Sequence, residues 1–149
     1  MQTGCRLCTF HLDHLWFGVA VERVQEVMSS PSITPVPLAP RGVAGLVNLR
    51  GQIVTVIDLG RRLGFRERPA AASPAMVMVR SDNTVVGLLV DEIGDVLEVS
   101  ETLFERQSET LFERPPETLK GIARELIRGA YKLRDKLLLI LDPERTVNL

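Results

Sequence analysis

Apolar positions along this chain come in short blocks of aliphatic and β-branched residues, each bounded by Gly, Pro, Asp, Asn or Ser. Blocks of that length and punctuation predict β-strands, here over residues 7–12, 15–21, 43–49, 52–58, 75–80, 84–90, 97–99, 129–133 and 136–142. Helical spacing is confined to residues 22–28, beside which Val21, Val24 and Val27 recur at intervals of three, and to residues 116–127. The polar pairs Asp13-His14 and Asp82-Asn83 suit hairpin turns, and Arg50-Gly51 and Arg134-Asp135 interrupt two further strand pairs in the same way. Blocks 53–57 and 137–141 are apolar at nearly every position, so both faces of those strands are expected to be covered. Residues 31–40, rich in proline, and 67–74, with three alanines, read as linkers.

The chain also aligns with itself. Residues 10–28 match 79–97 at an offset of 69, pairing Asp13 with Asp82, Gly18 with Gly87, Val21 with Val90, Val24 with Ile93 and Val27 with Val96. Residues 45–63 match 129–147 at an offset of 84, pairing Gly45 with Gly129, Arg50 with Arg134, Asp58 with Asp142 and Arg61 with Arg145. An ordered match of this kind is what a duplicated unit predicts. A mainly β protein of two halves is expected, residues 5–64 and 74–147, each closing into a small barrel, with a third core where the barrels meet. The second half carries an insertion near residues 100–115, in which SETLFER at 100–106 is written again at 108–114. Such an expansion of a loop is expected to be tolerated, because closure entropy rises by only ~0.6 kcal/mol per doubling of length.

Composition narrows the function. A small-barrel nucleic-acid binder would need a basic face with stacking aromatics; the net charge is −1 and no basic cluster accompanies Trp16 or Tyr131, so no nucleic acid is expected as a partner. The longest apolar block, 137–141, falls far short of the ~20 residues that cross a bilayer, and residues 1–4 carry no apolar leader. No membrane insertion is expected, and two neighbouring cysteines without a disulfide framework fit the cytoplasm. Cys5, Cys8, His11 and His14 recur every three residues, but strand neighbours three apart face opposite sides, so no metal site is expected there. Asp58 and Asp142 each close an apolar strand before a short helical stretch, where an N-cap explains them better than a pair of catalytic carboxylates. With no phosphate-binding loop, nucleophile elbow or HExxH motif either, no enzyme activity, metal or cofactor is expected.

One stretch is specific. Pro37-Leu38-Ala39-Pro40 is followed by Val43-Ala44-Gly45-Leu46-Val47-Asn48-Leu49-Arg50-Gly51-Gln52-Ile53-Val54 and by Val56-Ile57-Asp58-Leu59. With Val24-Gln25-Glu26-Val27, Asp91-Glu92-Ile93 and Ile127-Arg128-Gly129, it resembles the signature of CheW-like domains. The resemblance covers nearly the whole chain and implies two small SH3-like five-stranded β-barrels packed around a shared core. It implies a free-standing, non-catalytic adaptor that bridges chemoreceptor signalling tips to the regulatory domain of the histidine kinase CheA. The same adaptor role in a related pathway controlling pili, biofilm or gene expression is the alternative. The resemblance points to Arg50 as a receptor-coupling residue, with Asn48 and Gly51 holding the turn that aims it. Val21, Val24 and Val27 read either as core packing or as the lining of a groove for a receptor helix, and Glu26 either as a solvated charge or as a residue that sets partner orientation. Thr55 and Asp135 depart from the pattern, which has proline and glycine there, and so does the octapeptide repeat.

Overall fold

Eleven strands and three short helices make up the computed structural model, which describes residues 4–65, 74–100, 112–113, 121–133 and 136–148. In chain order the strands are β1 Gly4–Leu12, β2 Leu15–Ala20, β3 Val24–Ser29, β4 Val43–Leu49, β5 Gln52–Asp58, β6 Ala75–Ser81, β7 Thr84–Val90, β8 Glu92–Ser100, β9 Phe112–Glu113, β10 Ile127–Leu133 and β11 Lys136–Leu141. The helices are α1 Leu59–Arg62, α2 Ile122–Leu126 and α3 Pro143–Val147. The Arg134-Asp135 turn, most of the linker at 67–74, residues 116–120 of the expected helix and the octapeptide repeat apart from Ser100, Phe112 and Glu113 lie outside the described residues.

One sheet runs β8-β1-β2-β11-β10-β9 and the other β3-β6-β7-β5-β4. Leaving out the two-residue β9, the orders become identical when each strand is replaced by its repeat partner. The registers agree as well. Leu7 opposite Leu97 is matched by Met76 opposite Met28, and Phe17 opposite Leu139 by Val86 opposite Thr55. Gly129 opposite Ile140 is matched by Gly45 opposite Val56. The duplication in the sequence is thus a duplication of structure, residue for residue.

The sheets do not follow the halves. Each takes two strands from one copy of the repeat and three from the other, the chain crossing between sheets at the 3-10 turn Val21–Arg23 and at Asp91. Self-closure of each half, the simplest expectation, gives way to an exchange of strands. Two copies of one pattern bury the same faces and make the same ladders with either partner, so hydrophobic alternation cannot choose between them.

Three cores result. Val47, Val54, Val56, Met76 and Met78 fill the inside of the β3-to-β4 sheet, and Leu7, Val99, Tyr131, Leu138 and Ile140 fill the inside of the other. Between the sheets lies the largest cluster, which includes Phe10, Phe17, Val19, Ile57, Val77, Val79, Leu88, Leu139 and Leu141, and α1 and α2 add Leu59, Leu63, Ala123 and Leu126 around it. Gly18 and Gly87 stand at equivalent parallel contacts, where a Cβ would be crowded at the first and would clash at the second. A Cβ on Gly18 would lie 3.3 Å from Leu138, and one on Gly87 would overlap the Met76 thioether.

Residues 22–28 are not a helix. After the 3-10 turn they form β3, antiparallel to β6, with a bulge between Val24 and Glu26. The extra residue restores Val24 and Val27 to one face, opposite Val79 and Val77. A spacing of three, helical to the eye, is here the signature of a bulged strand.

Candidate functional site

The hairpin β4–β5 is anchored at one face and free at the other. Val47 and Val54, opposite each other, are buried in the barrel, while Asn48 and Ile53, the next pair, point outward and are exposed. Arg50 and Gly51 make the turn with φ of 51° and 85°. Two successive left-handed residues give the tight hairpin whose twist matches the strands, and glycine takes the second position without a Cβ penalty. The Asn48 side-chain oxygen accepts from the Gly51 N–H at 3.1 Å, which fixes the turn.

From this turn the Arg50 guanidinium reaches Glu26 and donates to its carboxylate. Glu26 belongs to β3, at the far edge of the same sheet. The ion pair therefore joins the first and last parts of the strand order across the open side of the curled sheet. The Arg50 side chain keeps 71% of its surface exposed and Glu26 keeps 29%, so the carboxylate is the sheltered partner. The Glu26 opposite Met78 lies on the barrel-interior side, whereas Val27 opposite Val77 lies on the face turned toward the central core.

Of the residues singled out in the sequence, Asn48, Arg50, Gly51 and Glu26 are thus connected. Val24 packs against the central core, Val21 is half-buried in the 3-10 turn, and Val27 is 42% exposed. Ile53 adds to this surface and runs against the expectation of full coverage: it is 59% exposed, and its repeat partner Leu137 is 38% exposed. Ile57 and Leu141, four residues further along the same faces, are buried, so the central core ends before the hairpin tips. The apolar runs 53–57 and 137–141 gave no sign of where that core would stop.

Around the site the backbone is well tied. Residues 31–40 do more than link: Thr34 and Leu46 exchange two 2.8 Å backbone hydrogen bonds, covering part of the free edge of β4. Asp58 and Asp142 are N-caps, each accepting from the N–H three residues on at 3.2 Å. The crossing turn is held by Arg23, which donates to the Arg80 carbonyl at 3.1 Å and pairs with Glu144, while Arg80 donates back to the Glu22 carbonyl at 3.2 Å. Nothing in the local sequence pattern marked Arg23, because its partners lie in the other half. Cys5, Cys8 and His11 are on β1 and His14 is in the β1–β2 turn; among the described residues no three His, Cys, Asp or Glu side chains converge as a metal site would require. Burial pushes the Cys8 thiol above its ordinary pKa. No helix among the described residues is long and apolar enough to cross a membrane.

Two strand-exchanged barrels around one core, with an ion-paired hairpin and exposed apolar side chains beside it, define a small two-barrel β module. The chain belongs to the CheW-like domain family, whose model matches residues 6–149. It is 34% identical over 98 residues to the chemotaxis protein CheW of Rhizobium meliloti, covering 66% of this chain and 63% of that protein. To the chemotaxis protein CheW of Treponema pallidum it is 29% identical over 141 residues, covering 92% and 78%. Among solved structures it resembles the scaffolding protein TtCheW from Thermoanaerobacter tengcongensis with a TM-score of 0.82 and 27% identity, covering 99% of this chain and 94% of that one.

Proposed function

We propose that this protein is a non-catalytic chemotaxis adaptor of the cytoplasm, coupling chemoreceptor signalling tips to the regulatory domain of the histidine kinase CheA. The observation that carries the reading is the hairpin of the family's signature motif, present in a chain that matches the CheW-like domain over residues 6–149. Its turn presents a mostly exposed arginine held from below by Glu26. A guanidinium so placed can bind a carboxylate bidentately or cap carbonyls at the end of a partner helix. Val27 and Ile53 lie on one face of the same sheet and supply apolar contact to a helix laid beside the turn. Specificity then comes from the arginine, and adhesion from the apolar side chains. The kinase takes a separate surface, and signalling follows when the two binding events are energetically coupled.

The test is calorimetric titration of the protein with a receptor signalling-tip fragment and with the kinase regulatory domain, alone and together. Binding of each and formation of a ternary complex are expected. A folded protein that binds neither would overturn the reading.

A further inference from the structure

The exchange of strands between halves makes each half the binding partner of the other. Within the first half only the hairpins β1–β2 and β4–β5 pair internally, and within the second only β6–β7, β10–β11 and the short β9. The remaining ladders, β1 with β8, β2 with β11, β3 with β6 and β5 with β7, all join one half to the other. The central core likewise draws on both, Phe10, Phe17 and Ile57 from the first and Val79, Leu88 and Leu139 from the second. A lone hairpin is marginal in water, and alone the first half keeps only hairpins and the second only hairpins and the two-residue β9, so neither half has a full sheet without its complement.

We infer that a second copy of this chain is a partner through the same seam, the first half of each chain completing its sheets with the second half of the other. Every ladder and core contact of the monomer is retained in such a pair, because the seam is the same surface whichever chain supplies it. What distinguishes the two states is the connection between β5–α1 and β6, carried by residues 66–73. In the monomer that short connection holds the halves at an effective concentration on the order of millimolar. The intrachain seam therefore prevails in dilute solution, and interchain exchange prevails when folding occurs among crowded chains. Arg23 is placed to slow the interconversion: its contacts with the Arg80 carbonyl and with Glu144 both cross the seam.

The experiment uses the full chain with a specific protease site inserted between residues 69 and 70, its monomer required to melt like the parent. Equal amounts of ¹⁴N- and ¹⁵N-labelled protein are unfolded together and refolded at nanomolar and at near-millimolar concentration, then diluted and weighed by native mass spectrometry. A dimer of mixed label is expected from the concentrated refolding only, persisting after dilution, and forming faster in Arg23→Ala. Cleaving the inserted site in both chains cuts both covalent ties between the two composite bodies, so an exchanged dimer falls to monomer-sized particles. Absence of a dimer after the concentrated refolding, dissociation on dilution before cleavage, or a dimer that survives cleavage would each overturn the inference.

Discussion

Arg50, in the turn joining β4 to β5, is ion-paired with Glu26 on β3, the strand at the opposite edge of the same sheet. The pair reaches across the barrel mouth, yet most of the guanidinium faces solvent. Exposed pairs contribute at most ~1 kcal/mol, so Arg50→Ala is expected to cost no more than that in stability. Its effect on binding is expected to be larger, a roughly ten- to hundredfold weaker affinity for the receptor tip, the equivalent of ~1.5–3 kcal/mol. Glu26→Ala frees the guanidinium without removing it and should weaken binding less. Thermal melts and titrations on both variants check this, and wild-type affinity in Arg50→Ala would remove the arginine from the interface.

Val47 belongs to the same hairpin but lies in the barrel interior with 4% of its surface exposed. Val47→Asp puts a carboxylate among Val54, Val56, Met76 and Met78 with no partner in that cluster. The cost of an unpaired buried charge, several kcal/mol, is comparable with the whole stability of a small domain. Loss of the cooperative melt is expected, in contrast to Arg50→Ala; a melt close to wild type would mean the barrel interior admits water.

Gly87 and Met76 form a matched pair across the antiparallel ladder of β6 and β7, the missing Cβ of the glycine making room for the thioether. Gly87→Ala is expected to destabilise by ~1–3 kcal/mol through overpacking. Met76→Val removes the obstructing thioether, so the double variant should lose less stability than the sum of the singles. Urea unfolding of the four proteins gives the coupling directly, and strict additivity would contradict the close approach.

Cys8 is buried on β1 and Cys5 is half-buried on the same strand. Burial disfavours the Cys8 thiolate, so the folded state holds this proton more tightly than the unfolded chain does. The stabilisation is complete below the ordinary thiol range and is lost as pH rises through the raised folded-state value. Alkylation is expected to label Cys5 first and Cys8 only on unfolding. Urea midpoints between roughly pH 7 and 10 should fall less steeply in Cys8→Ala than in the parent; parallel curves would show that Cys8 plays no part in the alkaline loss.

Much of this was legible along the chain. The hairpins at Asp13-His14 and Arg50-Gly51 and the caps at Asp58 and Asp142 are local, set by residues two or three apart, and the structure has them where the pattern placed them. The repeat was legible because its landmarks keep their order. Partner choice was not, since β1 meets the same alternation in β3 as in β8. The reach of Arg50 to Glu26 spans strands that are distant in sequence and at opposite sheet edges, and Arg23 meets its partners only across the seam. Valines 21, 24 and 27 misled for a definable reason: a bulge adds one residue to a period of two and imitates part of a helical turn.

The exchanged sheets also govern the order in which this molecule can take shape during synthesis. β1 and β2 leave the ribosome well before their neighbours β8 and β11, which are encoded some eighty residues or more downstream. At ~5–20 residues per second, the nascent hairpin waits several seconds with both edges unpaired. Its core-facing residues, Phe10 and Phe17 among them, belong to a cluster that is complete only when Leu139 and Leu141 of β11 have emerged. The early chain is therefore the stretch most in need of a chaperone, and the finished protein unfolds as one unit, because neither sheet can come apart without dismantling the other half of the chain.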